Sequence, residues 1–252
     1  MLAQSQVDEL MSRGITHLQG VVAPNVIGAA EEHVWQFLAS RGVDRHDRST
    51  WPDRVDKLQP LRKAGVFDGF LDGALEPVFD QLLGASSTDL GPGPQALLSM
   101  PSTDFWTLPH KRWHMDLPGR GPTDRLSALR VLGFVADVEP RGGGTLVVEG
   151  SAALVNQLVA ATSDNDAGSS SKIRSALSQR HEWFDELMRP GPERIERFMN
   201  AAETIDGVDV QVTELTGLAG DITLMHPWTI HNIGANTSDR PRMMMTYSRY
   251  RR

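Results

Sequence analysis

No cysteine occurs among the 252 residues. Disulfides, thiolate metal sites and cysteine nucleophiles are therefore excluded, and the absence suits a reducing compartment. No stretch approaches the roughly 18 consecutive apolar residues that a membrane helix needs. The opening residues, Met1-Leu2-Ala3-Gln4-Ser5, carry neither the basic nor the apolar region of a signal peptide. Positive charge is in the minority, with 25 Lys and Arg against 32 Asp and Glu and a net charge of −7, a poor match to nucleic acid. No internal repeat is visible. These absences lead us to expect a cytoplasmic protein acting on a small molecule, with neither nucleic acid nor membrane as partner. Hydrophobic residues make up 40% and charged residues 23%, enough for an ordinary globular core.

What is present changes in texture along the chain. Residues 5–13 predict a helix: Ser5 and Asp8 have capping-box spacing, Val7, Leu10 and Met11 form a stripe, and Gly14 is a stop. Residues 15–22 predict a short edge strand. Apolar residues recur at helical spacing from Pro24 to Ser40. Residues 43–60 are polar and irregular, and 61–84 predict one or two short helices. After Gly91-Pro92-Gly93-Pro94 come short β-type segments at Ala96–Met100, Trp106–Asp116, Leu129–Val138, Thr145–Val148, Val208–Leu215, Ile222–Ile233 and Arg242–Tyr250. Glycine, proline and Asp/Asn turns separate them, the pattern of a sandwich or jelly roll. Residues 161–171 have loop composition, and 172–204 predict two charged helices with Pro192 in a first turn. We therefore expect one domain over 1–252, mainly β with flanking helices. A helical flank (1–90) precedes a jelly-roll core (91–252) with an insertion at about 161–204, a lid candidate through Trp183 and Phe184.

Two segments carry chemistry. The first is His114-Met115-Asp116; on a strand, residues two apart share a face, so His114 and Asp116 point together. The second is Ile222 to Gly234. Alternation there puts Thr223, Met225, Thr229 and His231 on one face and His226, which precedes a proline, on the other. His231 is thus the preferred third ligand, and His226 is read as a capping or core residue. The histidines at 17, 33, 46, 110 and 181 are read as surface or packing residues. Two histidines and a carboxylate suit ferrous iron with three open positions, and they suit zinc equally. Ligand identity alone leaves an oxygenase and a hydrolase both open. Arg242, eleven residues after His231, can fork onto a carboxylate with two parallel hydrogen bonds if it faces inward. Arg112 shares parity with His114 and Asp116 and is a candidate substrate contact. Asn232, Trp106, Trp228 and Met244 are further candidates for the cavity wall.

In Trp113-His114-Met115-Asp116, Gly143-Gly144-Thr145-Leu146-Val147-Val148-Glu149-Gly150-Ser151, Gly220-Asp221 and Asn236-Thr237-Ser238-Asp239-Arg240-Pro241-Arg242, the chain resembles the phytanoyl-CoA dioxygenase family. The pieces stand in the family's order, and the resemblance covers roughly residues 95–250. It implies a double-stranded β-helix (cupin-like) that uses Fe(II), 2-oxoglutarate and O2, with His114, Asp116 and His231 as ligands. It also implies Arg242 on the far carboxylate of 2-oxoglutarate, and Thr145 as a second, hydroxyl contact. The implied reaction is hydroxylation of a small organic molecule with release of succinate and CO2; the alternative is a cupin-like metal protein that hydrolyses or only binds. Ile233 and Ala152 depart from the family's usual residues. Halogenating relatives carry a small residue in place of the aspartate, so Asp116 argues against halogenation.

Overall fold

Antiparallel pairing organises the chain. The computed structural model describes residues 1–71, 73–91 and 93–252. The helices are α1 (Gln4–Arg13), α2 (Pro24–Ala39), α3 (Gln59–Lys63), α4 (Glu76–Leu83), α5 (Ser151–Ala160), α6 (Ser170–Arg180), α7 (Glu182–Leu187) and α8 (Arg194–Phe198). The strands are β1 (Ile15–Leu18), β2 (Gln95–Ser99), β3 (Gly119–Arg120), β4 (Ala128–Phe134), β5 (Thr145–Glu149), β6 (Asp166–Gly168), β7 (Glu203–Ile205), β8 (Val208–Glu214), β9 (Ile222–Met225), β10 (His231–Ile233) and β11 (Arg242–Tyr250). One sheet runs β1-β9-β4-β11-β2, a second β10-β5-β8-β7, and β3 pairs with β6.

The period-2 alternation of strands builds three apolar layers. On β11, Met243, Met245 and Tyr247 face helices α1, α2 and α4 and share a core with Leu10, Val34, Leu38 and Phe79. Met244, of opposite parity, faces between the sheets with Ile15, Leu132, Phe134, Val147, Leu215 and Met225. The outer face of the second sheet (Leu146, Val148, Val210, Val212) packs on α5 to α8 through Leu154, Val155, Ile173, Trp183, Phe184 and Phe198. Burying a side chain of this size contributes roughly 1.5–3 kcal/mol. Val210 and Val212 are buried while Asp209 is exposed, as their alternation predicts.

Several expectations need correction. The helix over 5–13 forms, but Ala3 is its N-cap, and the Ala3 N–H donates to Gln6 Oε1 instead of to a Ser5–Asp8 box. The strand expected over Trp106–Asp116 does not form. Only His114 makes a bridge there, because Pro109 has no donor and Arg112 adopts φ 67°, which ends the alternation. The strand expected over Ile222–Ile233 divides at Pro227: β9 joins the first sheet and β10 the second. Helix α5 lay hidden within an apolar motif. Its buried face, Leu154, Val155, Leu158 and Val159, recurs at helical spacing and packs against the second sheet, with Asn156 and Gln157 on the other side. Residues 161–171 contain β6 and the start of α6, and three helices occupy 172–204 where two were expected. Pro192 lies ahead of α8, whose N-cap is Glu193.

Candidate metal centre

His114, Asp116 and His231 converge, with one donor atom from each within 4.8 Å of the others. The two histidines are joined through the backbone: His114 N–H donates to the His231 carbonyl (3.0 Å) and His231 N–H returns the bond (2.9 Å). Each ring Nδ1 lies 3.0 Å from a carbonyl oxygen, that of Arg112 for His114 and that of Thr229 for His231. A carbonyl only accepts, so both Nδ1 atoms carry the proton and both Nε2 lone pairs are left for a metal. His231 is buried, and burial holds its pKa well below the ordinary value against the opposing pull of Asp116. It is therefore neutral, as a ligand must be. His114 is exposed and Asp116 half-buried, so the cluster opens to solvent on the His114 side.

Asp116 stands on a bend outside any strand. Its Oδ1 accepts from Arg130 at 2.5 Å and lies 3.7 Å from His231 Nε2. Its Oδ2 is buried with no hydrogen-bond partner. An orphaned carboxylate oxygen on a residue clustered with two histidine donors is what a divalent cation would complete, and the mixed N/O donor set suits ferrous iron.

Arg242 opens β11 with the parity of Met244 and so faces between the sheets. It is 2% exposed; one NH donates to the Gly143 carbonyl at 2.7 Å, and Nε has no partner. Burial lowers its pKa to about 10, partly opposed by Glu214, so it remains a cation at neutral pH. Two buried hydroxyls nearby also lack partners, Ser99 Oγ on the residue paired with Arg242 and Thr246 Oγ1 one β-repeat pair along β11. Arg242 Nε and Ser99 Oγ, on opposed inward positions of β11 and β2, fit a carboxylate, and Thr246 lies two inward positions further along β11, beyond Met244. Gly143 and Gly144 make the approach possible: a Cβ on Gly144 would lie 2.2 Å from the Leu215 carbonyl oxygen, and Gly143 has φ +81°. Thr145 follows with the inward parity of Val147 and is buried.

The other candidates behave differently. Arg112 is exposed, and its recorded part in the cluster is its carbonyl. Asn232 is buried, but its amide is spent on the Lys111 carbonyl (2.6 Å) and the Ile233 N–H (2.9 Å), tying the His114 segment to β10. That is a structural use of the amide. Trp228 donates to the Pro118 carbonyl, and Met244 belongs to the inner core. Trp106 Nε1 is buried without a partner. His226 is buried and its Nδ1 accepts from the Trp228 N–H at 3.0 Å, which agrees with a core role.

The sequence reading missed Arg130, Ser99, Thr246 and Glu214. Their strand parity could have marked Thr246, four residues after Arg242. The others depend on cross-strand partners that parity does not supply.

A family model described as phytanoyl-CoA dioxygenase matches residues 11–244. A search of curated protein sequences finds no match. Among solved structures, the non-heme alpha ketoglutarate dependent carbocyclase SnoK from nogalamycin biosynthesis is similar with a TM-score of 0.59 at 18% identity, covering 99% of this chain and 84% of that one. The epimerase SnoN, in complex with Fe3+, alpha ketoglutarate and nogalamycin RO, has a TM-score of 0.59 at 16% identity over 98% and 83% of the two chains. HygX from Streptomyces hygroscopicus, with nickel and 2-oxoglutarate bound, has a TM-score of 0.55 at 14% identity over 100% and 88%. At these identities the likeness establishes the fold, a double-stranded β-helix.

Proposed function

Because the chain belongs to the phytanoyl-CoA dioxygenase family, we propose that it is a dioxygenase hydroxylating a small organic molecule. That the chain is a 2-oxoglutarate-dependent non-haem iron enzyme follows from the family together with the His-Asp-His cluster. His114, Asp116 and His231 would hold Fe(II), and Arg242 would bind the far carboxylate of 2-oxoglutarate, with hydroxyls drawn from Ser99, Thr145 and Thr246. The chemistry such a centre supplies is oxidative decarboxylation of 2-oxoglutarate by O2 to succinate and CO2, linked to oxidation of a substrate C–H bond.

The chain's own residues divide the remaining work. Backbone pairing fixes the two histidines, and the carbonyls of Arg112 and Thr229 hold their tautomers. Arg242 offers a buried cation where a carboxylate would otherwise be costly to desolvate. Phe134, Leu132 and Met244 keep that end dry, while the exposed side of His114 is the side a substrate can approach. The family match over 11–244 supports treating the chain as one catalytic domain.

The observation that carries this reading is the clustered His114, Asp116 and His231 donors with Asp116 Oδ2 left orphaned, together with an unpartnered Arg242 Nε on the same interior. Ring closure or epimerisation, named for two of the similar structures, would begin from the same hydrogen removal. Anaerobic addition of Fe(II) and 2-oxoglutarate should give a weak visible charge-transfer band. Succinate release is then measured against small acids and thioesters, with 18O2 separating hydroxylation from reactions that add no oxygen. Metal uptake with no band, zinc being excluded, would sink the oxygenase in favour of a hydrolytic or binding cupin.

A further inference from the structure

We propose that Arg130 is a positioning residue that fixes the Asp116 carboxylate for the metal. The inference rests on the reading of His114, Asp116 and His231 as ligands. The three are not held alike. The histidines are locked to each other by two backbone hydrogen bonds and oriented by two carbonyls. Asp116 has neither support: it stands on a bend, and its recorded side-chain hydrogen bond is the one from Arg130 at 2.5 Å.

Arg130 is well placed for the task. It lies on β4, which is hydrogen-bonded on both sides, opposite Met225 of β9 and Ser248 of β11. Its parity is that of Leu132 and Phe134, so the guanidinium projects along the inner face. One NH2 nitrogen holds Asp116 and the other donates to Ser248 Oγ at 3.0 Å. The ladder thus delivers Ser248 to one arm of the fork, and the rigid sheet is transmitted through the guanidinium to a carboxylate on irregular backbone. A lysine could not span both partners with fixed geometry. A small cavity of about 110 Å³, lined by Asp116, Arg130, Pro227, Ser248 and Tyr250, adjoins the pair. Without the guanidinium the carboxylate would have room to turn into it.

Charge and orientation make opposite demands on affinity, which gives the test its sign. Removing a cation next to a bound dication should tighten metal binding by Coulomb's law. Removing the group that orients a ligand should weaken it, by about 10–100-fold for outer partners of metal ligands. The full chain is titrated with Co(II) alone, reading the dissociation constant and the visible ligand-field spectrum. Arg130→Met should bind Co(II) about 10–100-fold more weakly, with altered band positions and intensity. Arg130→Lys should be intermediate, and Ser248→Ala should show a smaller loss in the same direction. Any other combination for Arg130→Met, whether equal or tighter binding or an unchanged spectrum, overturns the proposal. If Arg130→Met fails to fold by circular dichroism, Arg130→Lys and Ser248→Ala decide: weaker binding with a changed spectrum supports the proposal, and both unchanged overturn it. Failure of the parent protein to take up Co(II) overturns the metal centre and this role together. Uptake by the parent with Arg130→Met unaffected overturns this role alone.

Discussion

The backbones of His114 and His231 hydrogen-bond each other in both directions, at 3.0 and 2.9 Å, so two segments far apart in sequence present their imidazoles as one unit. The bridge uses no side-chain atom, so it should survive replacement of either ring. Loss of a ligand can therefore be read separately from loss of the fold.

Asp116→Ala and His231→Ala are each expected to abolish the Fe(II)/2-oxoglutarate charge-transfer band, with a native circular dichroism spectrum retained. His226→Ala should keep the band, since the His226 ring is spent on the Trp228 N–H. A band lost in His226→Ala and kept in His231→Ala would mean the third ligand is misassigned.

Arg242→Met should weaken 2-oxoglutarate binding and spare the metal. A hydrogen bond to a charged group contributes about 1.5–3 kcal/mol, so the loss should be roughly 10–150-fold in Kd. Calorimetry with 2-oxoglutarate on metal-loaded protein checks it. Equal losses of metal and co-substrate would show that Arg242 supports the fold instead.

Thr246→Val should act in opposite directions on the free and loaded protein. The hydroxyl is buried without a partner, so its removal should leave Tm unchanged or raise it. Binding of 2-oxoglutarate should fall by about 0.5–1.5 kcal/mol, a few-fold in Kd. An unchanged affinity would remove Thr246 from the co-substrate pocket.

His226 should make the fold acid-sensitive. Burial lowers its pKa from 6.5 to about 4, so the unfolded chain takes up its proton first as pH falls. Stability from this group is complete above about pH 6.5 and drains away as pH drops through about 4, up to roughly 3 kcal/mol in all. His226→Asn, whose Oδ1 can still accept from the Trp228 N–H, should flatten urea-unfolding stability across that window. An identical pH slope would place the acid sensitivity elsewhere.

Arg194 should hold the 182–198 segment against the chain leading to His114. Its guanidinium donates to the carbonyls of Leu108, Pro109, Glu186, Leu187 and Arg189. Arg194→Met removes five bonds worth about 0.5–1.5 kcal/mol each and should cost roughly 2.5–7.5 kcal/mol. Hydrogen exchange should quicken in 106–110 and 182–198 before the sheets. Uniform acceleration would show that the bonds stabilise the whole domain rather than this join.

Much was legible in the chain itself. Alternation located β8, because a strand with one buried face writes a period of two into its residues; β4, β5 and β11, buried on both faces over most of their length, were legible instead as short β-type segments between turn residues. Gly14 ended α1 as expected, with φ 84° and its N–H on the Leu10 carbonyl. His231 was selected for a reason that fails, since alternation cannot be counted through Pro227 into a different sheet. The selection itself matches where the cluster forms.

The sequence by itself determined which donor types exist, their order and which strand faces are apolar, because these follow from residue identity and local period. Only the tertiary structure decided that Arg130 grips Asp116, that Ser99 pairs with Arg242, and that Asn232 serves Lys111. Those partners are fixed by strand register and by bends such as the one at Arg112, and register is settled by packing between distant segments, which no local pattern records.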